Sequence, residues 1–199
     1  MGYETYKYYK DNVVLRSWIC MPLTVGIYKR KEETIKALLS DKLWTENGIS
    51  TQSGEITYWD RATLYALRGI FTGDKADIAF DYLKKYTFNR LLCDHVPYPI
   101  EAFPEGDQRH LSAVSILYSR VITEGLFGIN PAGFNKITIK PQLPQAMKQA
   151  TLRNIHFKNK LINIEVVNYN DFYNIKIYSD METISQQQIL KGESVIINV

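Results

Sequence analysis

At 199 residues, 45% hydrophobic and 13% aromatic, the chain is long enough to bury a sizeable core as one large domain or two small ones. A net charge of +3, with Lys and Arg scattered among Asp and Glu, is too mild to point to nucleic acid, and no apolar run is long enough to span a membrane. Cys20 and Cys93 form no CxxC pair and no metal-ligand spacing, so they read as buried free thiols rather than an implied disulfide. Residues 1–11 are polar and tyrosine-rich and lack an apolar core of signal-peptide length, so the chain as written carries no export address.

The pattern changes near Pro131. Before it, apolar residues recur at helical spacing; after it come short runs of Ile, Val, Tyr and Phe broken by Asn, Asp and Gly. Residues 32–40 predict a short helix, and Asn47-Gly48 with Ser53-Gly54 marks a loop. From 58 to 71, Trp59, Ala62, Ala66 and Ile70 occupy one side and Leu64, Leu67 and Phe71 another, the mark of a helix buried on most sides. From 75 to 92, Ala79, Tyr82, Leu83 and Tyr86 form one stripe opposite Asp77, Asp81, Lys84 and Lys85, which predicts a half-exposed outer helix. A proline-rich loop over 94–109 leads into a further inner helix traced by Leu111, Val114, Leu117, Val121 and Ile122. Alternating inner and outer helices suggest a helical solenoid or a closed toroid. Beyond them, 136–140, 161–167, 172–179 and 194–199 read as antiparallel strands of a small sandwich or sheet.

Two clusters could carry chemistry. The loop Tyr98-Pro99-Ile100-Glu101-Ala102-Phe103-Pro104-Glu105-Gly106-Asp107-Gln108-Arg109-His110 gathers three carboxylates, an arginine and an imidazole, and the prolines flanking Glu101 restrict where its side chain can go. Solvated loop carboxylates, with Asp107 or Glu105 favouring a helix N-terminus, explain the same residues without function. In Glu55-Ile56-Thr57-Tyr58-Trp59-Asp60-Arg61, aromatic rings stand beside charged groups, as sugar recognition requires: the apolar face of a pyranose stacks on Trp or Tyr while its hydroxyls pair with the charges. Asp60 as a helix-start residue and Trp59 as core are the plainer alternative. His95, His110 and His156 show no HxH or HExxH spacing, and no phosphate loop or nucleophile elbow is present, so no metal or cofactor is expected.

Four strings together resemble a known pattern: Tyr58-Trp59-Asp60-Arg61-Ala62-Thr63-Leu64-Tyr65-Ala66-Leu67-Arg68-Gly69, Tyr98-Pro99-Ile100-Glu101-Ala102-Phe103-Pro104-Glu105-Gly106, Glu124-Gly125-Leu126-Phe127-Gly128-Ile129-Asn130-Pro131-Ala132-Gly133-Phe134, and Lys140-Pro141-Gln142-Leu143-Pro144. They look like the end of the catalytic domain in six-hairpin glycosidases, the glucoamylase, processing α-glucosidase and α-L-rhamnosidase-like enzymes. The resemblance covers about residues 20–155. It implies a mainly α chain followed by β, with residues 1–134 an incomplete α/α toroid and 135–199 a small antiparallel β domain. It also implies hydrolysis of a poly- or oligosaccharide, with Glu101 as general base, Glu105 as second choice, and Trp59, Asp60, Arg61, Tyr98, Asp107 and His110 binding substrate. The chemistry uses two carboxylates, one protonating the leaving oxygen and one activating water on the opposite face of the ring.

No convincing acid candidate precedes residue 50, and a ring of twelve helices needs well over the roughly 130 residues available before the strands. The expectation is therefore the C-terminal portion of a longer, exported enzyme, inactive alone and able to self-associate through an open toroid face. Two other readings remain open. One is a non-catalytic carbohydrate- or protein-binding module; the other is a toroidal polysaccharide lyase using Tyr98, His95, His110 or Arg109 against a uronate.

Overall fold

The computed structural model describes residues 2–6, 11–92, 99, 112–180 and 182–199. Two compact units divide the chain, Met1–Ile122 and Thr123–Val199. The expectation of a mainly α, partly toroidal chain is overturned. Among the described residues, five short helices account for 34% and nine strands for 32%, the strands forming three antiparallel sheets, so the fold is mixed α/β. Apolar spacing specifies which face a helix buries and says little about its neighbours; the strand content was underestimated wherever strands lack alternation.

In the first unit, a 3₁₀ turn (Ser17–Cys20) runs into α1 (Met21–Thr24), followed by α2 (Lys31–Leu38) and a hairpin of β1 (Trp44–Thr45) and β2 (Gly48–Ile49). The long central helix α3 (Asp60–Thr72) buries Ala62, Leu64, Ala66, Leu67, Ile70 and Phe71, and it packs against α1, the 3₁₀ turn, β2, α4 (Ala76–Tyr86) and α5 (Ser112–Arg120). Gly69 makes the α1 approach possible, because a Cβ there would lie 2.7 Å from the Leu23 Cβ. The N-terminal end of α3 is strapped to the hairpin: the Ile49 N–H donates to Thr63 Oγ1 at 2.9 Å, and the Trp59 N–H donates to the Ile49 carbonyl at 3.2 Å. After α4, whose buried stripe is Ala79, Leu83 and Tyr86, the chain widens into a π-helical turn, Thr87–Leu91.

Cys20 is fully buried where the 3₁₀ turn meets α1. Desolvation pushes its thiol from 9.0 up to about 12, with Arg68 offsetting part of the rise. Below pH 9 the thiol is protonated in both folded and unfolded chains and has no effect on stability. Between 9 and about 12 the unfolded thiol ionises while the folded one does not, so stability falls as pH rises. The slope from one such group is ~1.4 kcal/mol per pH unit. We expect urea midpoints to drop steeply above pH 9 and Cys20→Ala to flatten that drop. An unchanged slope in the variant would show that the thiol is not the titrating group.

In the second unit, β3 (Ile129–Gly133), β4 (Lys136–Ile139) and β9 (Val195–Asn198) form a sheet in the order β3-β4-β9. The meander β5 (Gln149–Phe157), β6 (Lys160–Asn168), β7 (Phe172–Ser179) and β8 (Glu182–Leu190) forms a second sheet in sequence order. Strict alternation buries Ile162, Ile164 and Val166 from β6 and Tyr173, Ile175 and Ile177 from β7; Ile137, Ile139 and Ile197 of the other sheet are buried too. The segment between β4 and β5 is fixed by polar contacts from the strands: Asn168 Nδ2 donates to the carbonyls of Pro144 (3.0 Å) and Met147 (2.9 Å), and the Tyr173 hydroxyl donates to that of Leu143 (3.3 Å). Gly128, at φ +64°, receives the Lys140 N–H on its carbonyl at 3.1 Å.

Candidate functional site

The expected cluster around Trp59 lies at the N-terminal end of α3. Trp59, the residue before the first turn, has extended backbone (φ −111°, ψ 112°) and is half-buried. The Trp18 ring meets it edge-on, with centroids 5.3 Å apart and planes at 85°, and Trp18 is 41% exposed. On the Trp59 ring lies the Arg61 guanidinium, 5.0 Å from the centroid. Two indoles at right angles with a guanidinium on one face make an amphipathic ledge, offering a stacking surface and hydrogen-bond donors side by side. Glu55, in the loop before it, is held by hydrogen bonds from Thr51 Oγ1 and Gln52 Nε2, both 2.6 Å.

Asp60 faces the other way. It is fully buried, and its Oδ2 accepts from Arg90 at 3.2 Å, the arginine itself being only 1% exposed. Tyr86, also fully buried, is within range of both charges: burial first, then the Asp60 carboxylate, push its phenol well above the ordinary tyrosine range, while Arg90 works against the rise. The pair ties the first turn of α3 to the π-helical turn after α4. The carboxylate also sits where the positive end of the helix dipole favours it.

Of the remaining expected site residues, Glu101, Glu105, Tyr98, Asp107 and His110 lie outside the described residues, as do His95 and Arg109. The structure therefore brings together Trp59 and Arg61, turns Asp60 into the core, and adds three partners that sequence reasoning did not select: Trp18 on the ledge, and Arg90 and Tyr86 around Asp60. Arg90 had no clear signal, since it stands among Thr87, Asn89, Lys84 and Lys85, where an arginine reads as a surface charge. Trp18 had none, because its pairing with Trp59 joins segments far apart in sequence. Among the described residues, no three His, Cys, Asp or Glu side chains cluster as a metal site would need, and no helix is long and apolar enough to cross a membrane. The sequence matches no family model, no curated protein and no solved structure.

Proposed function

We propose that the chain is part of a glycoside hydrolase, in which the Trp18–Trp59–Arg61 ledge holds a sugar ring and Glu101 is the general base. The observation that carries the carbohydrate reading is the ledge: an exposed indole set edge-on against a second one that also carries a guanidinium. Such a surface suits a pyranose, whose apolar face stacks on indole and whose hydroxyls accept from the guanidinium. Hydrolysis rests on the resemblance of the motif around Glu101, a glutamate between Pro99 and Pro104 followed by Phe103.

Glu101→Gln is expected to lower kcat of the parent enzyme by roughly 10²–10⁴-fold without unfolding it, the range one proton-transfer partner supplies. Trp18→Ala is expected to weaken oligosaccharide binding by roughly tenfold, the loss of one aromatic stacking contact. A Glu101→Gln enzyme with full kcat would sink the hydrolase assignment. If that variant kept full kcat while Trp18→Ala still lost binding, the ledge would belong to a non-catalytic sugar-binding module.

A further inference from the structure

Beside the ledge lies a cavity of about 770 Å³, lined by residues of the N-terminal segment, the 3₁₀ turn and the starts of the helices that follow. That size falls within the range of small-molecule sites. One wall is built rather than merely present. The Tyr6 hydroxyl donates to the Ile27 carbonyl at 2.7 Å and accepts from the Arg30 N–H at 3.0 Å, and Arg30 Nη1 donates to the Thr5 carbonyl at 3.1 Å. These bonds fix both the tyrosine and the arginine that border the space. Arg16, also on the wall, is steadied by its Nε–H bond to Gln52 Oε1 at 3.2 Å, and the Lys42 ammonium stands 5.8 Å from the Tyr3 ring centroid.

Among the described lining residues the charge is unbalanced. Arg16, Arg30 and Lys42 face two carboxylates, Glu4 and Asp11, and none of the three cations forms an ion pair among the described residues. Trp18 also lines the cavity, and its ring meets Trp59, which carries Arg61. Rings and cations are neighbours here at two points, Lys42 with Tyr3 and Arg61 with Trp59. A neutral sugar would use the rings and give Arg16, Arg30 and Lys42 no counter-charge; a sugar bearing carboxylates would use both, since a guanidinium fork matches a carboxylate in two hydrogen bonds.

We infer that this cavity binds an acidic oligosaccharide, a chain of uronate residues, and thereby sets the substrate class of the hydrolase. The inference rests on the carbohydrate reading above and adds the charge preference to it. The test is calorimetric titration of the full chain with tetragalacturonate, maltotetraose and ATP. Tetragalacturonate should bind at least ~10-fold more tightly than maltotetraose and should weaken as salt is raised. Arg16→Ala and Lys42→Ala, both at exposed positions, should each lose roughly tenfold for the acidic sugar and leave maltotetraose binding unchanged. Equal affinity for the two sugars, or arginine and lysine variants that bind tetragalacturonate normally, would overturn the charge preference while leaving the carbohydrate reading in place. Binding of ATP as tight as that of tetragalacturonate would overturn it in favour of a general anion site, and binding of neither sugar would remove both readings.

Discussion

Asp60→Ala is expected to destabilise the protein by about 3–5 kcal/mol, because it breaks a buried ion pair by removing the carboxylate oxygen that accepts from the Arg90 guanidinium. Both side chains are essentially inaccessible, Asp60 at 0% and Arg90 at 1%, so no water can replace the missing partner without opening the structure. Arg90→Ala should cost a similar amount for the converse reason, removing the guanidinium that donates to the buried Asp60 carboxylate beside Tyr86. The diagnostic measurement is a double-mutant cycle in urea. Asp60→Ala combined with Arg90→Ala removes both charges at once, so its loss should fall short of the sum of the two single losses by ~2 kcal/mol or more. Strict additivity would mean that the two groups are stabilised by other neighbours and that the ion pair contributes little.

Gly128→Ala should be comparably severe in the second unit, at about 2–5 kcal/mol, because two penalties combine there. The backbone φ of +64° is left-handed, which costs an alanine roughly 1–2 kcal/mol. A Cβ would also lie 1.9 Å from the Lys140 carbonyl oxygen, and backbone cannot swing aside as the end of a side chain can, so the β3–β4 pairing would have to shift, at ~1–3 kcal/mol. Gly192 is the internal control: its φ is +88°, but a Cβ added there would meet nothing within 4 Å, so Gly192→Ala should show the conformational penalty alone. Thermal unfolding of the two variants checks this, and losses of equal size would mean that the close approach to Lys140 relaxes at no cost.

Where burial is one-sided or nearly complete, the sequence was legible. The apolar residues of 58–71 predicted α3, and the alternation in 161–167 and 172–179 predicted β6 and β7, because a core-facing stripe repeats at the period of the backbone. Three strands of the second unit escaped for identifiable reasons. β3 contains Pro131 and Gly133, which argue against a strand, yet it lies at a sheet edge and has a register shift between them, where a proline costs no ladder bond. β5 carries a bulge between Leu152 and Ile155, with Asn154 at positive φ, and the bulge breaks the alternation. β8 holds Ser185 and Gln186 to Gln188 at the far edge of the meander, with Ile189 its only buried residue, so it has no face to mark by pattern. Those missing strands are what tilted the fold class toward helix. The site was legible only where it is local. Trp59, Asp60 and Arg61 are adjacent in sequence, whereas the indole of Trp18 and the charge of Arg90 are brought to them by tertiary structure.

The pairing of β4 with β9 sets an order of events for the second unit. Ile137 faces Ile197 and Ile139 faces Val195, so this ladder closes a loop containing four whole strands. Each strand of the meander, by contrast, meets its neighbour through a short turn, where the entropy of closure is small and is regained at once by ladder bonds. The meander can zip along the chain; β9 must wait for it. The strand that docks last has the fewest contacts holding it before the rest of the sheet opens, so the amide protons of β9 are the natural reporters of the unit's first step toward unfolding.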